Sequence, residues 1–209
     1  MTMKLTPKTA LVVIDPQRAF VDREGSLIRT FGMDEAQPGL AALDRLRQFI
    51  DTHRATGRTI FVRSEYHAGQ FTDGDLNHGM AYVCVPGRNI DCEWAAGLHV
   101  APHDIVVTKH HADAATSDAF RAAIERAIQD GADRIVITGF QFTTCVLASA
   151  VSTLEMVGAR SIRVTVVEPL TGSRASSHVR GSAGISRVEA ARRQLASAGV
   201  EVITDVAGV

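Results

Sequence analysis

The chain has 209 residues, 45% of them apolar and 22% charged, with a net charge of −1. A chain of this length buries a sizeable core without disulfide or metal staples, and its near-neutral charge gives no electrostatic case for nucleic acid or an anionic membrane as partner. Three cysteines, an odd number, point to a reducing compartment, and no stretch approaches the roughly 20 apolar residues of a membrane span.

Residues 1–8 carry no apolar signal core, so a cytoplasmic protein is expected. The first β-branched run, residues 10–14, ends at Asp15. A helical spacing follows in Leu40, Leu43, Leu46 and Ile50, with a stop at Thr56 and Gly57. Residues 59–62 give a second strand. A long irregular stretch, residues 63–104, comes next and is rich in Gly, His and Asn. The third run, residues 105–107, leads to Lys109. Phe120, Ile124 and Ile128 mark a helix closed by Gly131. Residues 134–138 give a fourth strand that runs through Gly139 into Phe140, Gln141, Phe142, Thr143, Thr144 and Cys145. Leu147, Val151 and Leu154 continue it as a helix closed by Gly158. Residues 162–167 give a fifth strand, followed by a second irregular stretch, residues 169–184. Val188, Ala191 and Leu195 mark the last helix, closed by Gly199 before a sixth strand at residues 200–203. Most of these strands are near-continuously apolar, as strands covered on both faces are. Strands alternating with helices predict a doubly wound α/β sheet in one domain spanning residues 1–209.

Ligands of such sheets bind beyond the carboxyl ends of the strands. Asp15, Lys109 and Cys145 fall on that rim. A thiol attacks a carbonyl as thiolate. The helix dipole, a cap from Thr143 or Thr144, and the charge of Lys109 would each favour the anion at Cys145. A depressed thiol pKa is therefore expected. Asp15 could accept the thiol proton and return it to a leaving amine. Backbone N–H groups leading into the helix could hold the oxyanion. Each residue also has a plainer reading: Asp15 as a loop cap, Lys109 as a solvated cation, Cys145 as core packing. Cys84 and Cys92 flank a turn at Val85, Pro86, Gly87 and Arg88 and read as packing residues.

The order and spacing of these segments resemble the isochorismatase-like hydrolase family, which includes nicotinamidases, N-carbamoylsarcosine amidase and streptothricin hydrolase. Residues 10–20 resemble its "LVIDxQxxF" opening, Val85-Pro86-Gly87 its central "PG" turn, residues 106–109 its lysine strand, and residues 137–146 its "TGxxxxxCV" nucleophile segment. The resemblance implies a three-layer α/β/α fold with a six-stranded, mainly parallel sheet. It implies an Asp15–Lys109–Cys145 catalytic triad and a non-proline cis peptide at Phe140–Gln141. That peptide would turn backbone N–H groups toward the oxyanion near Cys145. A homo-oligomer, dimer or tetramer, is implied as well. The sequence departs from the family at Phe142, where many members carry Thr, and at Asp113-Ala114-Ala115. Both places line the pocket in relatives, so the substrate is expected to differ from nicotinamide.

Phe20, His67, Arg88, Phe142 and Arg174 are candidate substrate contacts. Arg88 and Arg174 lie in the two long loops and could each grip a carboxylate bidentately. Surface or interface roles are the alternative, and His178 is similarly ambiguous. Glu65-Tyr66-His67 has the spacing of the metal-binding Asp-x-His pair of nicotinamidases, but no matching histidine cluster follows. No metal or cofactor is expected. The expected activity is hydrolysis of a carboxamide, ureido or lactam C–N bond of a small molecule through a thioester. The alternatives are a vinyl-ether hydrolase of the isochorismatase type, which needs no thiol, and a non-catalytic protein on the same scaffold. A nucleotide-binding domain is set aside, because no Gly-rich loop follows the first strand.

Overall fold

The structure is a computed structural model that describes residues 6–54, 58–72 and 76–205. The helix stop expected at Thr56 and Gly57 lies outside these residues. Six strands form one sheet: β1 (Thr9–Ile14), β2 (Arg58–Ser64), β3 (Ile105–Lys109), β4 (Arg134–Phe140), β5 (Arg163–Gly172) and β6 (Glu201–Ile203). Their order is β3-β2-β1-β4-β5-β6, and every pairing is parallel. The helices are α1 (Arg18–Val21), α2 (Ser26–Phe31), α3 (Met33–Arg54), α4 (Asp118–Gln129), α5 (Leu147–Val157) and α6 (Arg187–Ala198). Among the described residues no helix is long and apolar enough to cross a membrane.

Alternation along each strand divides the core in two. Leu11 and Val13 of β1 face α1, α2 and α3, together with Phe61, Val136 and Val167. Val12 and Ile14 face α4, α5 and α6, together with Ile60, Val62, Ile135 and Val166. Every residue of β1 is buried, which is why its run carries no polar alternation. Each such aliphatic side chain contributes about 1.5–3 kcal/mol on leaving water. The three-layer α/β/α arrangement follows directly from apolar strands whose two faces both need a cover. The helix stops at Gly131, Gly158 and Gly199 fall as the sequence predicts, each glycine at positive φ.

Two local features depart from the sequence reading. The short helices α1 and α2 carry too few residues to show a helical period in the sequence. β5 continues through Pro169 to Gly172, whereas the sequence predicts an irregular stretch from residue 169. The register with β4 jumps from Ile137↔Val166 to Gly139↔Thr171, so the proline sits in a bulge, where a missing N–H costs no ladder bond.

The strand order reverses between β1 and β4, which opens a crevice beyond their carboxyl ends. Gly139 pairs with Ile14 at that point. Its φ is +105°, and a Cβ there would lie 2.0 Å from the Ile14 carbonyl oxygen. Only glycine lets the two central strands stay paired up to the rim. Gly139→Ala is expected to destabilise the fold by about 3 kcal/mol or more, because the clash is with backbone rather than a mobile side chain. Urea denaturation of the variant checks this, and an unchanged midpoint would refute it.

Candidate active site

Asp15 follows the last residue of β1 and adopts φ 47°, a left-handed conformation that Asp tolerates. Its N–H donates to the Val62 carbonyl at 2.8 Å, which keeps it docked on β2. Lys109 ends β3, two strands away and so roughly 10 Å across the sheet. The four-carbon stem of lysine spans that gap over β2. Its Nζ lies 2.9 Å from Asp15 Oδ2, with both side chains fully buried.

Ser64, the last residue of β2, stands between them in register with Lys109. Its Oγ is 2.9 Å from Asp15 Oδ1 and 2.6 Å from the Tyr66 hydroxyl. Lys109 Nζ donates to Ser64 Oγ at 2.8 Å, to the Tyr66 hydroxyl at 3.0 Å and to the His111 carbonyl at 3.0 Å. An ammonium has three N–H bonds, and these three acceptors use them. Asp15 Oδ2, at 2.9 Å, shares the same ammonium as a close opposite charge. The Gln17 side chain locks the same corner. Its Oε1 accepts from the Ser64 N–H at 2.7 Å and its Nε2 donates to the Ser64 carbonyl at 3.0 Å.

Cys145 lies in a wide π turn, Phe142–Val146, that runs directly into α5; π turns recur at functional sites. The turn begins after Gln141, whose carbonyl accepts from the N–H groups of Thr144 and Val146. Thr143 and Thr144 thus sit inside the first turn and do not cap it, contrary to the sequence expectation. The Phe140–Gln141 peptide is cis. The Cys145 sulfur is 3.9 Å from the Tyr66 hydroxyl.

The electrostatics correct a second expectation. Burial pushes the Cys145 thiol up; Lys109 opposes this, but the Asp15 carboxylate adds to the rise. The thiol is not acidified, because ionising it would place a second anion beside Asp15 in a dry corner. Burial likewise raises the Asp15 carboxyl, although Lys109 pulls the other way. Burial disfavours the Lys109 charge, but Asp15, with Cys145 and Tyr66, outweighs it and keeps the ammonium protonated. Cys84 and Cys92 are raised too, Cys92 to about 11, with burial the first cause in both.

Cys145 opens onto a cavity of about 400 Å³. Phe20, Leu27 and Phe31 of α1 and α2 form one wall. Tyr66, Phe71, Met80 and Val83 of the long segment after β2 form another. Gln141, Thr143 and Thr144 lie beside the sulfur, and Arg174, Ser177 and Arg187 close the outer side. Of the candidate contacts read from the sequence, Phe20 and Arg174 line this cavity; His67, Arg88 and Phe142 do not. The turn at Pro86 and Gly87 points to solvent and carries Arg88 with it, over the Tyr82 ring at 5.4 Å. His67 is exposed, with its ring nitrogen 3.2 Å from the Ala68 carbonyl. Phe142 is buried in the core beneath α5 and α6 and borders a smaller cavity with Pro169, Ser173 and His178.

No group of three or more His, Cys, Asp or Glu side chains converges to hold a metal ion among the described residues. Glu65, the acidic member of the Glu65-Tyr66-His67 triplet, pairs with Arg63 at 2.8 Å instead. Ser64 and Tyr66, which join the acid to the lysine, were missed in the sequence. Carrying the second strand two residues beyond Val62 would have placed Ser64 opposite Lys109.

A family model, that of the isochorismatase domain, matches residues 9–204. No curated protein matches the sequence. Among solved structures the chain is similar to a pyrazinamidase of Pyrococcus horikoshii determined in complex with zinc, at 17% identity and TM-score 0.69, covering 95% of this chain and 100% of that one. It is similar to an isochorismatase family protein from Desulfovibrio vulgaris, at 19% identity and TM-score 0.67, covering 94% and 93%. An N-carbamoylsarcosine amidase from Thermoplasma acidophilum follows at 18% identity and TM-score 0.64, covering 96% and 99%. At these identities the likeness is one of fold.

Lys109→Met leaves the Asp15 carboxylate buried without its cation. The expected loss of stability is about 3–5 kcal/mol at neutral pH. With Lys109 gone the folded-state pKa of Asp15 rises further above its ordinary 3.8, so lowering the pH protonates the folded protein first and shrinks the deficit. Denaturation of both proteins at pH 5 and pH 8 tests this; a deficit that grows on acidification would reverse the sign.

Proposed function

The chain belongs to the isochorismatase family, and from that premise we propose that it is a cysteine-dependent hydrolase cleaving a carboxamide, ureido or lactam C–N bond of a small molecule. One observation carries the reading: a buried Asp15–Lys109 ion pair lies beside the Cys145 thiol at the floor of a cavity. Asp15, Lys109 and Cys145 are the catalytic residues in this proposal.

The raised pKa values of acid and thiol fit one scheme. Loss of the thiol proton to solvent would leave two anions facing one cation. Its transfer to Asp15 Oδ2 leaves the net charge of the corner unchanged, with the thiolate now paired to Lys109. The carboxylate lies within hydrogen-bonding reach of the thiol, while Ser64 holds its Oδ1 oxygen. The sulfur then forms a C–S bond to the substrate carbonyl, whose π electrons move to oxygen. Backbone N–H groups in the segment from Gln141 to Cys145 are the proposed oxyanion donors. Asp15 returns its proton to the leaving nitrogen as the C–N bond breaks, which releases ammonia or an amine. A water molecule then loses a proton to Asp15 and attacks the thioester. The C–S bond breaks, the proton returns to sulfur, and the acid departs.

A screen of primary amides, carbamoyl compounds and lactams for ammonia or amine release tests the activity. Cys145→Ala is expected to abolish turnover, and Asp15→Asn to lower kcat by about 10²–10⁴-fold. Turnover that survives Cys145→Ala would reject the thioester and favour vinyl-ether chemistry driven by Asp15 as acid.

The pH profile gives a separate check. The active form holds one proton between Asp15 and Cys145. Acid adds a second and removes the base; alkali takes the first and removes both nucleophilic control and the proton for the leaving group. Because both groups are raised, kcat/KM is expected to rise with an acid limb above the ordinary carboxyl value of 3.8 and fall with an alkaline limb above the ordinary thiol value of 9.0. An acid limb at or below 3.8 would contradict the assignment.

A further inference from the structure

The cavity above Cys145 has a chemical asymmetry that the catalytic reading leaves unused. Its walls are flat and apolar: Phe20, Phe31 and Phe71 with Leu27, Met80 and Val83. Its outer side carries two guanidinium groups, Arg174 and Arg187, and among the described residues no Asp or Glu lines it. In a chain of net charge −1, that is a local excess of positive charge against an apolar slot. Such a surface favours an anion.

Among the described residues neither arginine side chain donates a hydrogen bond, although Arg174 has a long ion pair and a ring contact. Arg187, the first residue of α6, is exposed, and its side chain makes no ion pair or hydrogen bond among the described residues. Arg174 lies over the Phe31 ring, 4.2 Å from its centroid, so its plane is oriented by the same aromatic wall. Glu35 approaches it only to 3.9 Å. Glu35 also accepts from Ser176, whose Oγ donates at 2.6 Å and whose N–H lies 3.2 Å from Oε1. The Arg174–Glu35 contact is too long for a hydrogen bond, so the guanidinium N–H groups remain available to a ligand. A guanidinium presents paired N–H groups in the geometry of a carboxylate, and the side chain is 26% exposed, shielded enough for that contact to count.

We propose that the substrate is an anionic amide: a carboxamide or carbamoyl compound whose flat, apolar body lies between Phe20, Phe31 and Phe71 and whose carboxylate is held by Arg174 and Arg187. The proposal rests on the hydrolase reading for the identity of the scissile group, but the anion site stands on the cavity alone. Arg174 and Arg187 are specificity-determining residues here, remote from the bond that breaks.

Binding to the Cys145→Ala protein separates the two ideas, because it needs no turnover. The probes are matched pairs measured by calorimetry: 4-carbamoylbenzoate against benzamide, and N-carbamoylphenylalanine against phenethylurea. Phenyl phosphate serves as a competing anion. At least one anionic member is expected to bind about ten- to a hundredfold tighter than its neutral partner. That advantage should shrink in raised salt. Arg174→Gln and Arg187→Gln should each remove most of it without changing the affinity for the neutral member, and Arg187→Lys should retain part. Equal binding within both pairs, no binding of either carboxylate, or phenyl phosphate binding tighter than both carboxylates would overturn the anionic-amide assignment. Ammonia release by the unaltered protein is then measured on the same compounds. A carboxylate preference in binding with no cleavage of any amide counts against the hydrolase and leaves the anion site standing. Cleavage indifferent to the carboxylate does the reverse.

Discussion

The buried contact between Lys109 and Asp15 is the constraint around which this molecule is arranged. Two opposite charges withdrawn fully from water cost several kcal/mol each in lost hydration, and their attraction offsets this only with good geometry and satisfied neighbours. The fold supplies both. Ser64, Tyr66 and the His111 carbonyl take the lysine's donors, Ser64 holds one carboxylate oxygen, and Gln17 fixes Ser64 through its backbone. Five polar side chains, Asp15, Gln17, Ser64, Tyr66 and Lys109, are thereby committed to one corner of a sheet that is otherwise apolar. A core built for stability alone would place hydrocarbon there.

The same constraint explains why the thiol is not acidic. A helix start and a lysine suggest a lowered pKa when read as separate influences. In the folded chain the lysine already has a counter-ion, so its field at the sulfur is largely cancelled, and burial decides the outcome. In the proposed mechanism reactivity is a property of the set of three, with a proton passing from Cys145 to Asp15 inside a group whose net charge does not change.

The fold was legible because its signals are strong and repeated. Six β-branched runs, helical spacings between them and glycine stops fix the alternation of elements, and the residues after the first, third and fourth runs fall on one rim because parallel strands share a direction. The connecting segments were harder to read. Phe31, Phe71 and Met80 reach the cavity by way of a short helix and loop conformation, which leave no period in the sequence. Arg88 and His67 lie near the site's motifs in sequence, yet their segments turn outward and leave both side chains exposed. Phe142 shows the same limit at finer scale. One step along a π turn separates a residue that lines the cavity from one that faces the opposite core, and the spacing to Gly139 cannot tell them apart.

β3 is the last strand on its side of the sheet, with a neighbour only in β2, and it is the strand that carries Lys109. The cation of the central crevice is therefore delivered from the margin. A short parallel edge strand is paired on one side only and so is held less firmly than a central one; here its terminal side chain reaches back across β2 and anchors in the middle of the sheet. The edge is thus tied down by the group it supplies, and whatever loosens that border, whether a substitution, a binding partner or heat, withdraws the positive charge from the sulfur and the acid together.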